Sequence, residues 1–397
     1  MDTQSLASRR RQKVWLSADA GRIDQFRALV ERSTDPADWP FASAVEKNVL
    51  IYDGERVRDI AADPEARREL MAEWVEAFSD GPGVIVIKNA LPDMAVLDRA
   101  SRIFEELVQR EKQGGKVAAD HFAKAGANDR IWNSLEKHCL ADPDNFARYY
   151  ASEAVALASE AWLGKGYQMT AQMNRVNPGG AAQKPHRDYH LGFMSPQQMQ
   201  AYPGHIHAIS PVLTLQGAVA HCDMPLESGP TMFLPYSQAY FEGYLAFGRP
   251  EFQAYFAENH VQLPLSKGDA VFFNPALMHG AGNNVSSDIY RMANLLQVSS
   301  AMGRAMETIN RTRMSIALYP ALLKAKTEGS LDAAGIANAI AASAEGYPFP
   351  TNLDSDPPVG GLAPKTQAAI LAEALEQGMD AEAFSAAITA HAGRREA

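Results

Sequence analysis

Cysteine is nearly missing from this chain: Cys139 and Cys222 are the only two in 397 residues. They lie far apart and match no zinc-knuckle spacing, which excludes a disulfide framework and a cysteine metal cluster. A reducing compartment, and so the cytoplasm, is the expectation. No stretch approaches the ~18 consecutive apolar residues of a membrane span. The basic start MDTQSLASRRRQKVWLSADA is followed by no apolar segment of the secretory kind, and no membrane partner is expected. Basic residues are outnumbered, 37 against 47 acidic, for a formal net charge of −10. A general nucleic-acid binder needs a cationic face to displace counterions, so nucleic acid is excluded as an expected partner. No internal repeat is present. What remains is ordinary globular composition, with 46% hydrophobic and 21% charged residues, enough for a sizeable core.

Three regions differ in pattern. Residues 1–82 read as a helical extension. Ile23, Phe26, Leu29 and Val30 recur at helical spacing, and 62–80 opens on an Asp-Pro cap signal with Leu70, Trp74, Val75 and Phe78 on one side. Residues 83–301 read as the core. GVIVIKNAL (83–91) is a short β-branched run, a helix follows over 94–112, the stretch 113–144 fits no pattern, and one helix is expected over 145–163. From 166 to 300, short alternating runs punctuated by Gly, Pro and Asn suggest an antiparallel sandwich or small barrel. Residues 302–397 turn Ala-rich and helical, and read as an outer layer on the core, a lid or a homodimer contact.

The stretch KPHRDYHLGF (184–193) concentrates chemistry. In an extended chain His186, Asp188 and His190 project to one face, and Arg187 and Tyr189 to the other. A bare His-x-Asp pair is also what an exposed polar strand end or a core histidine beside a carboxylate looks like. Downstream, LSKGDAVFFNPALMHGAGNNVSSDIYRMANLLQ (265–297) contains an apolar strand, His279, a Gly/Asn turn and a second strand from Arg291. Two histidines and a carboxylate on one side of a metal leave its other positions open, the facial arrangement of non-haem iron oxygenases. If the last strand alternates, Arg291, Ala293, Leu295 and Gln297 share a face. A guanidinium among small and apolar neighbours needs an anion: the far carboxylate of 2-oxoglutarate, or a structural partner such as Asp288.

These segments together resemble the phytanoyl-CoA dioxygenase family of Fe(II)/2-oxoglutarate oxygenases. PHRDYH carries the first pair, MHGAGNNVSSDIYRMA the later histidine and arginine, and GAVAHCDMPLESGPTMFLPYSQ (217–238) the strand, acidic turn and Pro-x-Ser element between them. GVIVIKNAL is similar to the family's first core strand, so the resemblance spans roughly 83–300. It implies a mainly β core with α-helices: a double-stranded β-helix (jelly roll) flanked by N- and C-terminal helices. It implies that His186, Asp188 and His279 bind Fe(II) and are catalytic, with 2-oxoglutarate held by Arg291 and dioxygen as the oxidant. One departure is visible: the family often has Ser-His after its Pro-Gly turn, and here the order is Pro235-Tyr236-Ser237-Gln238.

The implied activity is a dioxygenase that hydroxylates an unactivated C–H of a small-molecule metabolite and releases succinate and carbon dioxide. Related halogenases have a small residue at the carboxylate position, so Asp188 favours hydroxylation or desaturation over halogenation. A zinc hydrolase on the same ligands, a cupin-like enzyme, and a non-catalytic small-molecule-binding member are the alternatives. Gln168, Thr170, Gln172 and Asn174 share one face of a strand, opposite Met169, Ala171 and Met173. That face is either the inward wall of a polar site or the solvent side. On the first reading Gln172 and Asn174 are candidates for hydrogen bonds to the co-substrate, as are Thr214 and Gln216. Tyr189, His190 and Phe193, with Met194, are candidates for shaping the substrate pocket, or else core side chains. His205 and His207 have the His-x-His spacing of cupins without the following glutamate. His121, His138, His221, His260 and His391 suggest no partner.

Overall fold

The computed structural model describes residues 5–114 and 127–396. Among these, ten strands are present: β1 (Ala44–Glu46), β2 (Val49–Asp53), β3 (Val84–Lys88), β4 (Asn128–Ile131), β5 (Gln168–Val176), β6 (Thr214–Ala220), β7 (Met232–Phe233), β8 (Ala270–Phe273), β9 (His279–Gly280) and β10 (Arg291–Ser299). Eight form one sheet in the order β1-β2-β3-β8-β6-β10-β5-β4, antiparallel except for the parallel β2–β3 pair.

The second sheet is small. β7 pairs with β9, and isolated bridges extend it on both sides, His186 to His279 and Phe233 to Val261. From β5 onward the chain passes back and forth between the two sheets. β5, β6, β8 and β10 lie in the large one; the 186 segment, β7, the 261 segment and β9 lie in the small one. That winding is a double-stranded β-helix, a jelly roll.

Period-two alternation separates the two faces of the large sheet. Ile85, Ile87, Met169, Ala171, Met173, Leu215, Val219, Phe272, Leu296 and Val298 point outward into the main core. Helices cover that face, among them Pro64–Ser79, Met94–Gln113, Pro143–Tyr150 and Glu153–Leu163, with Arg311–Glu328 and Ala333–Ser343 from the C-terminal part. The intervening Val84, Val86, Ala218, Val271 and Phe273 point inward, against Phe233, Leu263 and Leu277 of the small-sheet side. The helix Pro64–Ser79 begins as its sequence signals: Asp63 accepts from the backbone N–H of Glu65 and Ala66, and Pro64 needs no donor there. Leu70, Trp74 and Phe78 are buried, but Val75 is exposed.

Two expectations are corrected, and one open stretch is filled. The segment before residue 83 is not helical throughout. β1 and β2 form a hairpin closed by Lys47 and Asn48, both at positive φ (51° and 66°), and β2 carries it into the large sheet. The single helix over 145–163 is two, because Ser152 leaves helical geometry and caps the second. In the unassigned stretch 113–144, Asn128–Ile131 is the edge strand β4 and Ser134–Ala141 a helix; His121 lies outside the described residues.

Two of the histidines without an assigned partner bind behind the sheet. His221, at the end of β6, contacts Ser101 Oγ (2.8 Å) through Nδ1 and Tyr149 OH (2.9 Å) through Nε2. Asn294 on β10 donates to Tyr149 and Tyr150. His138 contacts Asn145 Oδ1 at 2.8 Å. Burial pushes the His138 imidazole down to about 4 and His221 to about 3, so both are neutral.

Candidate metal centre

The space between the two sheets is a cavity of about 380 Å³. Alternation on β10 sends Arg291, Ala293, Leu295 and Gln297 into it, and on β5 it sends Gln172 and Asn174. The small sheet supplies His186, Asp188 and His279. Ligand atoms of these three lie within 4.8 Å of one another, the one such group of three or more His, Cys, Asp or Glu among the described residues.

Backbone pairing sets this approach. The amide of His186 donates to the carbonyl of His279 (2.9 Å) and the reverse bond is 3.1 Å, so the two histidines form one rung of the small sheet. Their rings are 4.5 Å apart. In each ring Nδ1 is held by a backbone carbonyl 2.8 Å away, Lys184 for His186 and Leu277 for His279. This fixes the tautomer: Nδ1 carries the proton and Nε2 keeps its lone pair. Both Nε2 atoms face Asp188 Oδ2, at 3.7 and 3.5 Å. Burial lowers the pKa of His279 and the nearby His186 adds to this, keeping the ring neutral. For Asp188, burial works to raise the pKa, but the two histidines it faces outweigh this and leave the carboxyl well below its usual range.

The ligand segment is clamped from outside. Arg187 points away from the cavity into the interior, where it donates to the carbonyls of Ser237 and Tyr240. Gly243 makes room for it, since a Cβ there would sit about 2 Å from the guanidinium. Tyr244 OH donates to the carbonyl of Asp188 at 3.0 Å. In the departing Tyr-Ser-Gln element, Ser237 Oγ accepts from the amide of Met278, one residue before His279.

The extended run ends sooner than the spacing predicts. Tyr189 and His190 have φ of 63° and 45°, and a 3-10 turn follows over His190–Phe193. Tyr189 therefore swings onto the cavity wall instead of away from it, with Phe193 edge-on at 5.5 Å. His190 is off the wall, and its role at the pocket is corrected accordingly. Thr214 is also off the wall: it is buried at the start of β6, and the neighbouring inward position, Gln216, takes its place. His207 is buried in the helix Gly204–Ile209 on the carbonyl of Met199, away from the histidine pair above.

Arg291 lies at the β10 end opposite Gln297. It is 7% exposed, and its side chain donates to the carbonyl of Ser228 (3.1 Å). Among the described residues it has no carboxylate partner; Asp288 is exposed and pairs with Ser287. Burial lowers its pKa to about 10, so it remains a cation. Gln172 is 1% exposed and its Nε2 has no hydrogen-bond partner among the described residues. Sequence reasoning missed Arg130, Trp132, Gln183 and Met306, which also line the cavity. Arg130 lies in, and Trp132 directly after, a four-residue edge strand too short to show a period.

Residues 65–293, more than half the chain, match the family model described as Phytanoyl-CoA dioxygenase (PhyH). Among curated proteins none matches. Solved structures similar to this chain include the non-heme alpha ketoglutarate dependent epimerase SnoN from nogalamycin biosynthesis, at 20% identity and a TM-score of 0.40, covering 60% of this chain and 82% of that one. The non-heme alpha ketoglutarate dependent carbocyclase SnoK from the same biosynthesis is similar at 19% identity and a TM-score of 0.41, covering 60% and 84%.

Proposed function

The chain belongs to the phytanoyl-CoA dioxygenase family, and from that premise we propose that it is an Fe(II)- and 2-oxoglutarate-dependent oxygenase that hydroxylates a small molecule. The observation that carries the reading is one cavity holding two features. A His-Asp-His set with both Nε2 atoms turned inward lies at its side. A buried arginine without a carboxylate partner among the described residues lies at its end.

The donor set fits iron. Two imidazoles that present Nε2 lone pairs and a carboxylate suit a divalent ion with open positions, and the carbonyls behind each Nδ1 hold the rings in place. Arg291 fits the far carboxylate of 2-oxoglutarate, since its planar fork can donate two parallel bonds. Gln172 and Asn174 line the wall between and are suited to donate to the same molecule. Bound iron with 2-oxoglutarate and dioxygen supplies the oxidising power that breaks a C–H bond, with release of succinate and carbon dioxide. Trp132, Tyr189, Phe193, Leu295 and Met306 supply an apolar wall that binds the substrate's carbon skeleton and excludes water. Asp188 fills the position that a halide would need, which favours hydroxylation over halogenation.

Anaerobic addition of Fe(II) and 2-oxoglutarate tests this. A weak visible charge-transfer band is expected, and its absence overturns the oxygenase reading. Asp188→Ala is expected to remove both the band and succinate release; unchanged turnover would show that the ligand set is misassigned. A product 16 mass units heavier, the ~16 of one inserted oxygen atom, separates hydroxylation from other outcomes.

A further inference from the structure

The carboxylate of the proposed metal centre has a second tether, whose importance rests on that reading. Asp188 Oδ2 is the oxygen that faces both imidazole Nε2 atoms. The same oxygen accepts a 2.6 Å hydrogen bond from Gln216 Nε2. Gln216 is 4% exposed and central on β6, paired with Phe273 of β8 on one side and Gln297 of β10 on the other. Its amide can face Asp188 only nitrogen-first, because an ionised carboxylate accepts and never donates. Each carboxylate oxygen has two lone pairs, so this bond and a metal can share Oδ2.

The next residue is held in a parallel way. The hydroxyl of Tyr189 donates to Gln297 Oε1. Successive residues of the ligand segment are therefore gripped by glutamines on adjacent strands of the opposite sheet. The backbone of Asp188 belongs to the small-sheet side, where its amide donates to Pro275 and its carbonyl accepts from Tyr244. Its carboxylate is fixed from across the cavity. We propose that Gln216 is a positioning residue. It locks the Asp188 carboxylate in the orientation that a metal ion requires, and with the Gln297–Tyr189 pair it braces the ligand segment against the large sheet. Without it the carboxylate keeps its place on the backbone but is free to rotate, so that metal binding must order it.

Metal binding by the otherwise unloaded protein tests this without turnover. Mn(II) affinity is read by the loss of the free-ion electron paramagnetic resonance signal, and geometry by the visible spectrum with Co(II). Gln216→Leu is expected to weaken Mn(II) binding about ten- to a hundredfold and to change the Co(II) spectrum. Thr214→Val, two positions earlier on β6 and off the cavity wall, is expected to change neither. Circular dichroism confirms the fold of each variant, and Gln216→Met replaces the leucine variant if that one is unfolded. A folded Gln216 variant with unaltered affinity and spectrum overturns the proposal while leaving the metal centre intact. Failure of the unaltered protein to bind either ion overturns the metal-centre reading and this proposal with it.

Discussion

Arg291 is a buried cation whose one side-chain bond among the described residues is to a backbone carbonyl, a costly arrangement unless a ligand completes it. Arg291→Lys keeps the charge but loses the fork, and Arg291→Leu loses both. On the proposed function, calorimetry with Mn(II)-loaded protein should show 2-oxoglutarate binding weakened about tenfold or more by lysine and further by leucine, from a charge-assisted bond of about 1.5–3 kcal/mol. Mn(II) affinity itself should not change, because Arg291 is no part of the ligand set. Arginine at the start of an alternating strand, followed by alanine, leucine and glutamine at every second position, was legible because period two is a property of sequence. Tyr189 and His190 were not. Their positive φ values come from tertiary clamps, with the Tyr189 carbonyl accepting from Ser210 and the Asp188 carbonyl from Tyr244, and neither residue is the glycine or asparagine that advertises such a turn.

At the scale of elements, long strands with one polar and one apolar face could be read, and short ones could not. β5 shows Met169, Ala171 and Met173 toward the helices and Gln172 and Asn174 toward the cavity, the division its alternation predicts. β1, β4, β7 and β9 have two to four residues each, too few for a period to emerge. Register partners define them instead, and those partners come from other parts of the chain. The helical layer shows the same limit in acid–base terms. His138 and His221 are buried and neutral at about 4 and 3, whereas an unfolded imidazole titrates near 6.5. Between those values the unfolded chain binds more protons, so their contribution is full above about pH 6.5 and declines as pH falls. By pH 5 each should have lost about 2 kcal/mol. Burial raises Glu307 to about 7, which acts in the opposite direction, since its folded form holds a proton that the unfolded form releases. Denaturant unfolding at pH 7.5 and 5 should therefore show a fall in stability, and a steeper one in Glu307→Gln.

At the scale of the whole molecule, the two sheets are unequal. The large one has eight strands and a helical layer behind it. The small one is made of a two-residue pair and single bridges. Among the described residues no helix is long and apolar enough to cross a membrane. The amide–carbonyl rung between His186 and His279 belongs to this thinner half. A ligand that binds only the folded state adds its binding free energy to whatever must be intact for binding. An ion held by His186, Asp188 and His279 would therefore act as a cross-link in the sheet that has the fewest bonds of its own. Hydrogen exchange reports this directly. Adding Mn(II) should slow exchange at the amides of His186 and His279 while leaving the central amides of β10 unchanged. The cofactor would then be part of the architecture as well as the chemistry, and loss of metal would loosen one wall of the cavity before the fold as a whole gives way.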